Sequence, residues 1–315
     1  MRFSILIPAY KRDFFEECLN SVFSIEYDDY EVIVLNDASP QGLDAIVDRF
    51  LDNPKLRYYK NDTNVGAIRL VENWNKCLEL AKGEYVICMG DDDRMLPCCL
   101  KEYDKIIQQY PNLAVYHGWT EIIDANGNFF YFQMPRPLWQ SAYSMFIQYR
   151  RDQCRQWIGD FCFNTEMLRQ AGGFFPMPLA WGSDRITVLR AASYAGIANT
   201  QVPVFQFRFS NKSISSSDQY AIMMESRKKM LNWYNDFFSK KADNDIDEKM
   251  RRLAIASYPS EMFSDYSNDI ANDMKRNGCF RKFFYWWKRR KEFDLTIRSF
   301  IKAFLIYFGI NISKR

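Results

Sequence analysis

Tyr85-Val86-Ile87-Cys88-Met89-Gly90-Asp91-Asp92-Asp93 is the stretch on which the reading of the chain turns. An apolar run rich in β-formers stops on three consecutive carboxylates, the pattern of a buried strand that ends at a polar rim. In an open parallel α/β sheet, ligands bind beyond the carboxyl ends of the strands. Three acidic groups at such a place repel one another and favour a cation between them. Hard divalent ions such as Mg2+ or Mn2+ take carboxylates together with substrate phosphates. The stretch therefore reads as a metal-assisted phosphate site. The competing reading is a solvated acidic loop that caps the next helix, and the flanking segments decide between the two.

Upstream, Phe3-Ser4-Ile5-Leu6-Ile7 reads as a buried strand ending at Pro8-Ala9-Tyr10, followed by Phe14, Cys18, Val22 and Phe23 at helical spacing. Glu31 to Leu35 forms a second strand that ends in Asn36-Asp37-Ala38-Ser39, and Leu43, Ile46, Val47 and Phe50 mark a second helix. Leu56 to Tyr59 is a short third strand; Leu70, Trp74, Cys77, Leu78 and Ala81 form a third helix, which Lys82-Gly83 is expected to close with a C′ glycine. Strands alternating with helices predict a parallel sheet with right-handed crossovers. Each strand then delivers a polar end to one edge. A carboxylate at Asp37 can accept hydrogen bonds from a ribose or a base; a helix N-cap or an Asx turn would use it equally well.

Downstream, Leu100, Tyr103, Ile107 and Tyr110 give a helical stripe. Ala114 to Trp119 and Phe129 to Phe132 are strands separated by the hairpin-type turn Asp124-Ala125-Asn126-Gly127. Phe161-Cys162-Phe163 is a further short strand. Ala171-Gly172-Gly173-Phe174-Phe175 breaks the chain before Trp181-Gly182-Ser183-Asp184-Arg185 opens a helix, where Ser183 or Asp184 has the look of an N-cap. Val202 to Arg208 is a strand; Arg208 at its end either reaches a diphosphate or is solvated. Ser210 to Ser217 is a polar loop.

These segments, in this order and spacing, resemble the family-2 glycosyltransferases of bacterial surface-polysaccharide type. The resemblance rests on Ile5-Leu6-Ile7-Pro8-Ala9-Tyr10, Val34-Leu35-Asn36-Asp37-Ala38-Ser39, Asn64-Val65-Gly66, Lys82-Gly83-Glu84-Tyr85, Asp91-Asp92-Asp93 with Pro97, and Gly172-Gly173-Phe174 with the acid that follows. It covers roughly the first 210 residues. It implies an α/β, Rossmann-like GT-A fold, a nucleotide-diphosphate sugar donor, a divalent cation (Mg2+ or Mn2+) and inversion at the anomeric carbon. Pro8, Tyr10, Asp37, Asn64, Gly66 and Asp91 would then line the donor site, Asp92 and Asp91 would hold the metal, and Asp184 would be the base that activates the acceptor hydroxyl. Two departures stand out. Relatives often read Asp-x-Asp-Asp before Leu-Pro, whereas alignment on Leu96-Pro97 puts Gly90 at the first acidic position. Relatives often carry Glu-Asp where this chain has Ser183-Asp184, leaving one carboxylate for the role.

Composition bounds the rest. The 315 residues suggest one large domain, 1–220, and an appendage, 221–315. A net charge of +3 gives no global argument for nucleic acid. The 8 cysteines include no CxxC, and Cys18, Cys77 and Cys88 sit in apolar patterns, which favours buried thiols in a reducing compartment. No signal peptide and no membrane span are expected. His117 is the only histidine and is expected to be packed or solvated rather than catalytic. The absence of GxSxG, Walker A and GxGxxG argues against a serine hydrolase, a P-loop enzyme and a typical dinucleotide site.

The appendage is helical and basic-aromatic. Met230, Trp233, Tyr234, Phe237 and Phe238 form one helix, and Lys240 to Lys249 is a charged linker. From Lys275 to Lys291 there are eight basic residues and no acid; Phe280, Phe283, Phe284 and Trp287 share one helical face, and Phe300, Ile301, Phe304, Leu305 and Phe308 another. Such helices lie in an anionic membrane interface or pack on a protein. The expectation is thus a cytoplasmic glycosyltransferase, peripheral at the inner face of the membrane, acting on a glycan or lipid-linked acceptor and not on nucleic acid. The alternatives are a sugar-nucleotide nucleotidyltransferase, whose basic glycine-rich loop is missing after the first strand, and a non-catalytic module that binds nucleotide sugar or membrane. Trp119 and the segment from Gln153 to Gly159 lie on the acceptor side, with no specificity code apparent in them.

Overall fold

The apolar runs of the N-terminal third become strands buried on both faces: β1 (Phe3–Ala9), β2 (Tyr30–Asn36) and β4 (Tyr85–Cys88), with β3 (Leu56–Lys60) at the edge. Burial on both faces is what a parallel sheet covered by helices requires. The computed structural model describes residues 1–150, 154–209 and 219–310, so Gln153 and the Ser210 to Ser217 loop lie outside the described residues. The chain divides into two units, Met1–Lys212 and Ser213–Arg315.

In the first unit β3, β2, β1 and β4 pair in parallel, with Ile5 facing Val32 on one side and Ile87 on the other. This register brings the ends of β1, β2 and β4 to the same edge. The crossovers are α1 (Phe15–Phe23), α2 (Asp44–Val47, extended by a 3-10 turn to Phe50) and α3 (Leu70–Leu80). α1 buries Phe15, Cys18, Leu19 and Val22, one stripe at helical spacing, against Phe3, Ile5, Val32 and Val34. Cys18, Cys77 and Cys88 are buried and free.

The other half of the sheet is mixed. β5 (Arg94–Met95) follows the acidic triplet directly, and α4 (Cys99–Gln109) leads to β6 (Val115–Ile123) and β7 (Phe129–Phe132), which form an antiparallel hairpin. β8 (Trp139–Gln140) and α5 (Ala142–Arg150) precede β9 (Phe161–Asn164), which slots antiparallel between β4 and β6. After α6 (Thr165–Gln170) and α7 (Ser183–Ala192), β10 (Ile197–Arg208) runs parallel to β6 and pairs antiparallel with β5. That last pairing returns Arg208 to the acidic loop.

One local expectation fails. Gly83 does not cap α3: the helix ends at Leu80, and Ala81 is already extended. Gly83 is needed because its backbone passes against β1, where a Cβ would come within 2.6 Å of Phe3 C and Ser4 N. A glycine between a helix and a strand serves either purpose, and only packing tells which.

The second unit is helical. α8 (Tyr220–Phe237) is followed by α9 (Asp245–Asn277), a 33-residue helix capped by Asn244, whose Oδ1 accepts from Ile246 and Asp247 N–H. The second half of the expected linker, Asp245 to Lys249, is therefore the first turn of α9. Arg227 on α8 donates to Asp269 (2.7 Å) and Asp265 (2.6 Å) on α9. Gly278, at φ +94, breaks α9 from α10 (Cys279–Lys288), and α11 (Ile297–Tyr307) follows. The aromatic faces divide. Trp286 is fully buried and donates to Asp273, and Phe283 packs against Phe300 and Phe304. Phe280, Phe284, Ile301 and Phe308 stay exposed. The basic run is not wholly unopposed: Lys282 pairs with Asp273, and Arg289 with Glu225 and Glu292. Among the described residues no helix is long and apolar enough to cross a membrane.

Candidate active site

The site grows from the point where β1 and β4 end. Asp91 turns back to β1, and its Oδ2 accepts from the backbone N–H of Tyr10 and of Lys11, each at 2.7 Å. Burial pushes its carboxyl up to about 6, against the pull of the Lys11 ammonium. Asp93 is also buried; its Oδ1 accepts from the Arg208 N–H at 2.9 Å, and burial with the neighbouring Asp92 charge raises it well above the usual carboxylate range. Asp92 is the half-buried member. Its Oδ2 receives the Lys11 ammonium at 2.7 Å.

Arg208 holds this loop from behind. It is neither solvated nor free for a phosphate: it is 1% exposed, donates from Nε to the Asp92 carbonyl at 2.8 Å and from Nη2 to Glu17 at 2.7 Å, and lies over the Phe14 ring. Gly90 has a local reason too. A Cβ there would sit 2.9 Å from Asp92 Oδ1 and 3.0 Å from Asp93 Oδ2, so the two carboxylates occupy the space a side chain would need.

Beside this loop, Asp37 organises the end of β2. Its Oδ1 accepts from Asn61 Nδ2 (2.8 Å) and Val65 N–H (3.0 Å), its Oδ2 from Gly66 N–H (3.3 Å), and its carbonyl from Asn64 Nδ2 (2.8 Å). The Asx turn weighed for Asp37 is made by Asn36, whose Oδ1 accepts from Ser39 N–H. Ser39 Oγ in turn donates to the Tyr10 carbonyl at 2.5 Å, tying β2 to β1. Tyr10, Asp37, Asn64, Gly66, Asp91 and Asp92 are thus joined by short bonds around one edge, with the Tyr10 ring exposed. Pro8 lies within β1, opposite Leu35, because the strand runs on to Ala9.

Asp184 lies in the first turn of α7. The cap of that helix is Gly182, in the left-handed region at φ +85, so neither Ser183 nor Asp184 is an N-cap. Ser183 Oγ instead donates to the Phe175 carbonyl. Burial raises the Asp184 carboxyl, while Arg185 and local N–H groups pull it down. The Gly172-Gly173-Phe174 turn that precedes it takes φ of +86 and +77 at its glycines and is clamped by Asn75, which accepts from Phe174 N–H (2.7 Å) and donates to its carbonyl (3.0 Å). The Pro178–Ala180 turn packs on the Ala67–Arg69 turn that follows Gly66.

Sequence reasoning missed Asp160. It is fully buried, accepts from Thr120 Oγ1 (2.6 Å) and Trp157 N–H (2.8 Å), and burial with the Asp184 charge pushes its carboxyl up to about 7. Nothing in Gly159-Asp160-Phe161 announces this, since the position becomes buried only when β9 inserts between β4 and β6. Lys11 was missed as well, although a basic residue two places beyond a strand tip is a usable signal. His117 is buried against Phe161 and held well below the usual range by burial and Arg136, which makes it a neutral packed side chain.

The donor set bears on a metal. Among the described residues no three His, Cys, Asp or Glu side chains form a preformed cage. Asp92, with the second oxygen of Asp91, offers one or two carboxylates at the carboxyl edge of the sheet. This fits a hard divalent ion shared with ligand phosphates rather than one held by protein alone.

Residues 4–172 match the glycosyl transferase family 2 model. The chain belongs to that family. Among family-2 relatives, the colanic acid biosynthesis protein WcaA of Escherichia coli, a putative glycosyl transferase, is 32% identical over 97 residues, 30% of this chain and 33% of WcaA. Curated relatives match along only 19 to 43% of their own length. Among solved structures, Staphylococcus aureus TarS residues 1–349 with UDP-GlcNAc superposes at a TM-score of 0.70 with 19% identity, covering 98% of this chain and 90% of that one. The mannosyltransferase PcManGT of Pyrobaculum calidifontis, with GDP-Man and Mn2+, superposes at 0.55 with 16% identity, covering 98% and 87%. The family-2 chain therefore has the GT-A type of fold expected from its motifs, with a helical C-terminal region.

Proposed function

We propose that the family-2 chain is an inverting glycosyltransferase that moves a sugar from a nucleotide-diphosphate sugar to a hydroxyl of a glycan or a lipid-linked acceptor. The observation that carries this is the Asp91-Asp92 loop, held by Tyr10 and Lys11 at the edge where Asp37 and the Asn64 to Gly66 loop also converge. Asp37, Asn64 and Gly66 would form the wall for the nucleoside, and Asp92 with Asp91 would hold a divalent cation. When bound, that cation supplies charge neutralisation for the departing diphosphate. Asp184 accepts the proton of the acceptor hydroxyl as its oxygen bonds to the anomeric carbon; the bond to the diphosphate oxygen breaks, and its electron pair leaves with the nucleoside diphosphate. A carboxyl raised by burial suits a general base better than an ordinary aspartate. The exposed Phe280, Phe284 and Phe308, with the basic residues near them, support placing the protein at the cytoplasmic face of an anionic membrane.

The test is a panel of UDP- and GDP-sugars with Mn2+ and a membrane-lipid extract as acceptor source, scored by nucleoside diphosphate release. Asp184→Asn should keep donor affinity and lose transfer by ~10²–10⁴-fold; near-normal transfer would reduce Asp184 to a structural residue. Asp92→Asn should lose Mn2+-dependent donor binding with the fold intact, and unchanged binding would put the site elsewhere.

A further inference from the structure

We infer that Lys11 is a built-in counter-ion that occupies Asp92 until a diphosphate arrives, so that divalent metal and nucleotide bind this site as a unit. The inference deepens the metal-assisted reading above and rests on it.

Three bonds stitch the β1–α1 loop to the acidic loop, and they differ in kind. The Tyr10 and Lys11 backbone N–H groups both hold Asp91 Oδ2, and the Lys11 ammonium holds Asp92 Oδ2. The backbone bonds fix the loop; the third ends on a flexible side chain that is 27% exposed. The ammonium can therefore leave while the loop stays in place. Arg208, by contrast, is buried and committed to the Asp92 carbonyl and Glu17.

Asp92 Oδ1 lies against Gly90, so a divalent ion would take Oδ2, the oxygen that Lys11 now holds, and the two cations would repel each other at that distance. Displaced, Lys11 loses its 2.7 Å bond to Asp92, and two other oxygens of the loop are already engaged. Asp91 Oδ2 is engaged by two N–H groups, and Asp93 Oδ1 by the Arg208 N–H. Bare metal must therefore break an ion pair and strand an ammonium. A diphosphate removes that penalty, because a phosphate on a cation held at Asp92 would lie within reach of the Lys11 ammonium, which sits 2.7 Å from Asp92 Oδ2. The ammonium can then move from a carboxylate to a phosphate oxygen and vacate Asp92. By linkage, nucleotide must strengthen metal binding by the same factor by which metal strengthens nucleotide binding.

Mn2+ binding to the full chain is measured by calorimetry and by loss of the free Mn2+ spin-resonance signal, with and without UDP or GDP, for wild type, Lys11→Met and Lys11→Arg. Wild type should bind Mn2+ at least ~10-fold more tightly with a nucleoside diphosphate than without, within the usual range of coupling. Lys11→Met should bind bare Mn2+ ~10-fold more tightly than wild type and lose most of the coupling, whereas Lys11→Arg, which keeps the charge, should retain weak bare-metal binding. Equal bare-metal affinity in wild type and Lys11→Met overturns the inference. So does a wild type that binds Mn2+ equally well with and without nucleotide, a measurement that needs no variant. Failure of the metal reading itself looks different: Asp92→Asn would then bind Mn2+ and nucleotide together as wild type does.

Discussion

Replacing Arg208 by methionine tests whether the acidic loop is held from behind. The guanidinium gives a charge-assisted bond to the Asp92 carbonyl at 2.8 Å, a class worth about 1.5–3 kcal/mol. Its cation–π contact with Phe14, 4.1 Å from the ring centroid and shielded from water, adds about 2 kcal/mol. The pair with Glu17 counts for less: that side chain is 46% exposed, so solvent screening leaves ~0–1 kcal/mol. The contacts to the Asp124 and Ala125 carbonyls, at 3.4 and 3.3 Å, are long and add little. Methionine fills much of the vacated volume, so the cavity contribution is small. The contributions overlap, and the expected loss is about 3–5 kcal/mol. Urea unfolding of wild type and variant measures it, with an unchanged slope required for the comparison. Mn2+-dependent nucleotide binding should fall in parallel under conditions where the variant is still folded. A loss below ~1 kcal/mol, the level of a surface ion pair, or nucleotide binding that is undiminished, would refute the idea that Arg208 positions the loop.

Two further outcomes follow from named groups. The neutral form of Asp160 is favoured in the fold, because burial pushes the carboxyl up to about 7; its contribution is present below the unfolded-state value and is lost as pH rises toward 7. Thermal midpoints between pH 4.5 and 8 should therefore fall more steeply for wild type than for Asp160→Asn, and parallel profiles would remove the assignment. At the other end of the chain, wild type should float with phosphatidylglycerol vesicles at low salt, more weakly at high salt, and Phe280→Ser with Phe284→Ser should release it; wild type that stays unbound at low salt ends the membrane proposal.

The parallel half of the sheet was legible because its strands are apolar runs ending in polar residues, and its helices bury clean stripes such as Phe15, Cys18, Leu19 and Val22. The turn at Asp124 to Gly127 was legible because Asp and Gly are required there: Asp124 Oδ1 accepts from Asn126 and Asn128 N–H, and Gly127 takes φ +81. What stayed hidden depends on distance in sequence. Arg208 meets Asp92 and Asp93 from more than a hundred residues away, and no local pattern separates an arginine that plugs a loop from one that points to water. α9 escaped because its buried positions are mixed with Asp, Asn and Ser, some of which serve buried polar contacts, as Asp269 does with Arg227. Asp184 resembled a cap because the true cap, Gly182, carries no side chain to signal the role.

The glycine at position 90 and the lysine at position 11 belong to one electrostatic solution. A carboxylate at Gly90 would be a fourth acid crowded against Asp92 Oδ1 and Asp93 Oδ2, where burial already raises Asp91 and Asp93. Such crowding is tolerable only if the site gains positive charge, and part of it would reprotonate otherwise. With glycine there, backbone N–H groups satisfy Asp91 and Asp93, and a single ammonium balances the carboxylate that remains, Asp92. The Lys11 ammonium therefore offsets the Asp92 charge before any ligand enters. A lone divalent cation must displace that ammonium, and a lone diphosphate would meet the Asp92 carboxylate. A cation and a diphosphate arriving together change the local charge least, which is the physical reason to expect metal and donor to bind here as a pair.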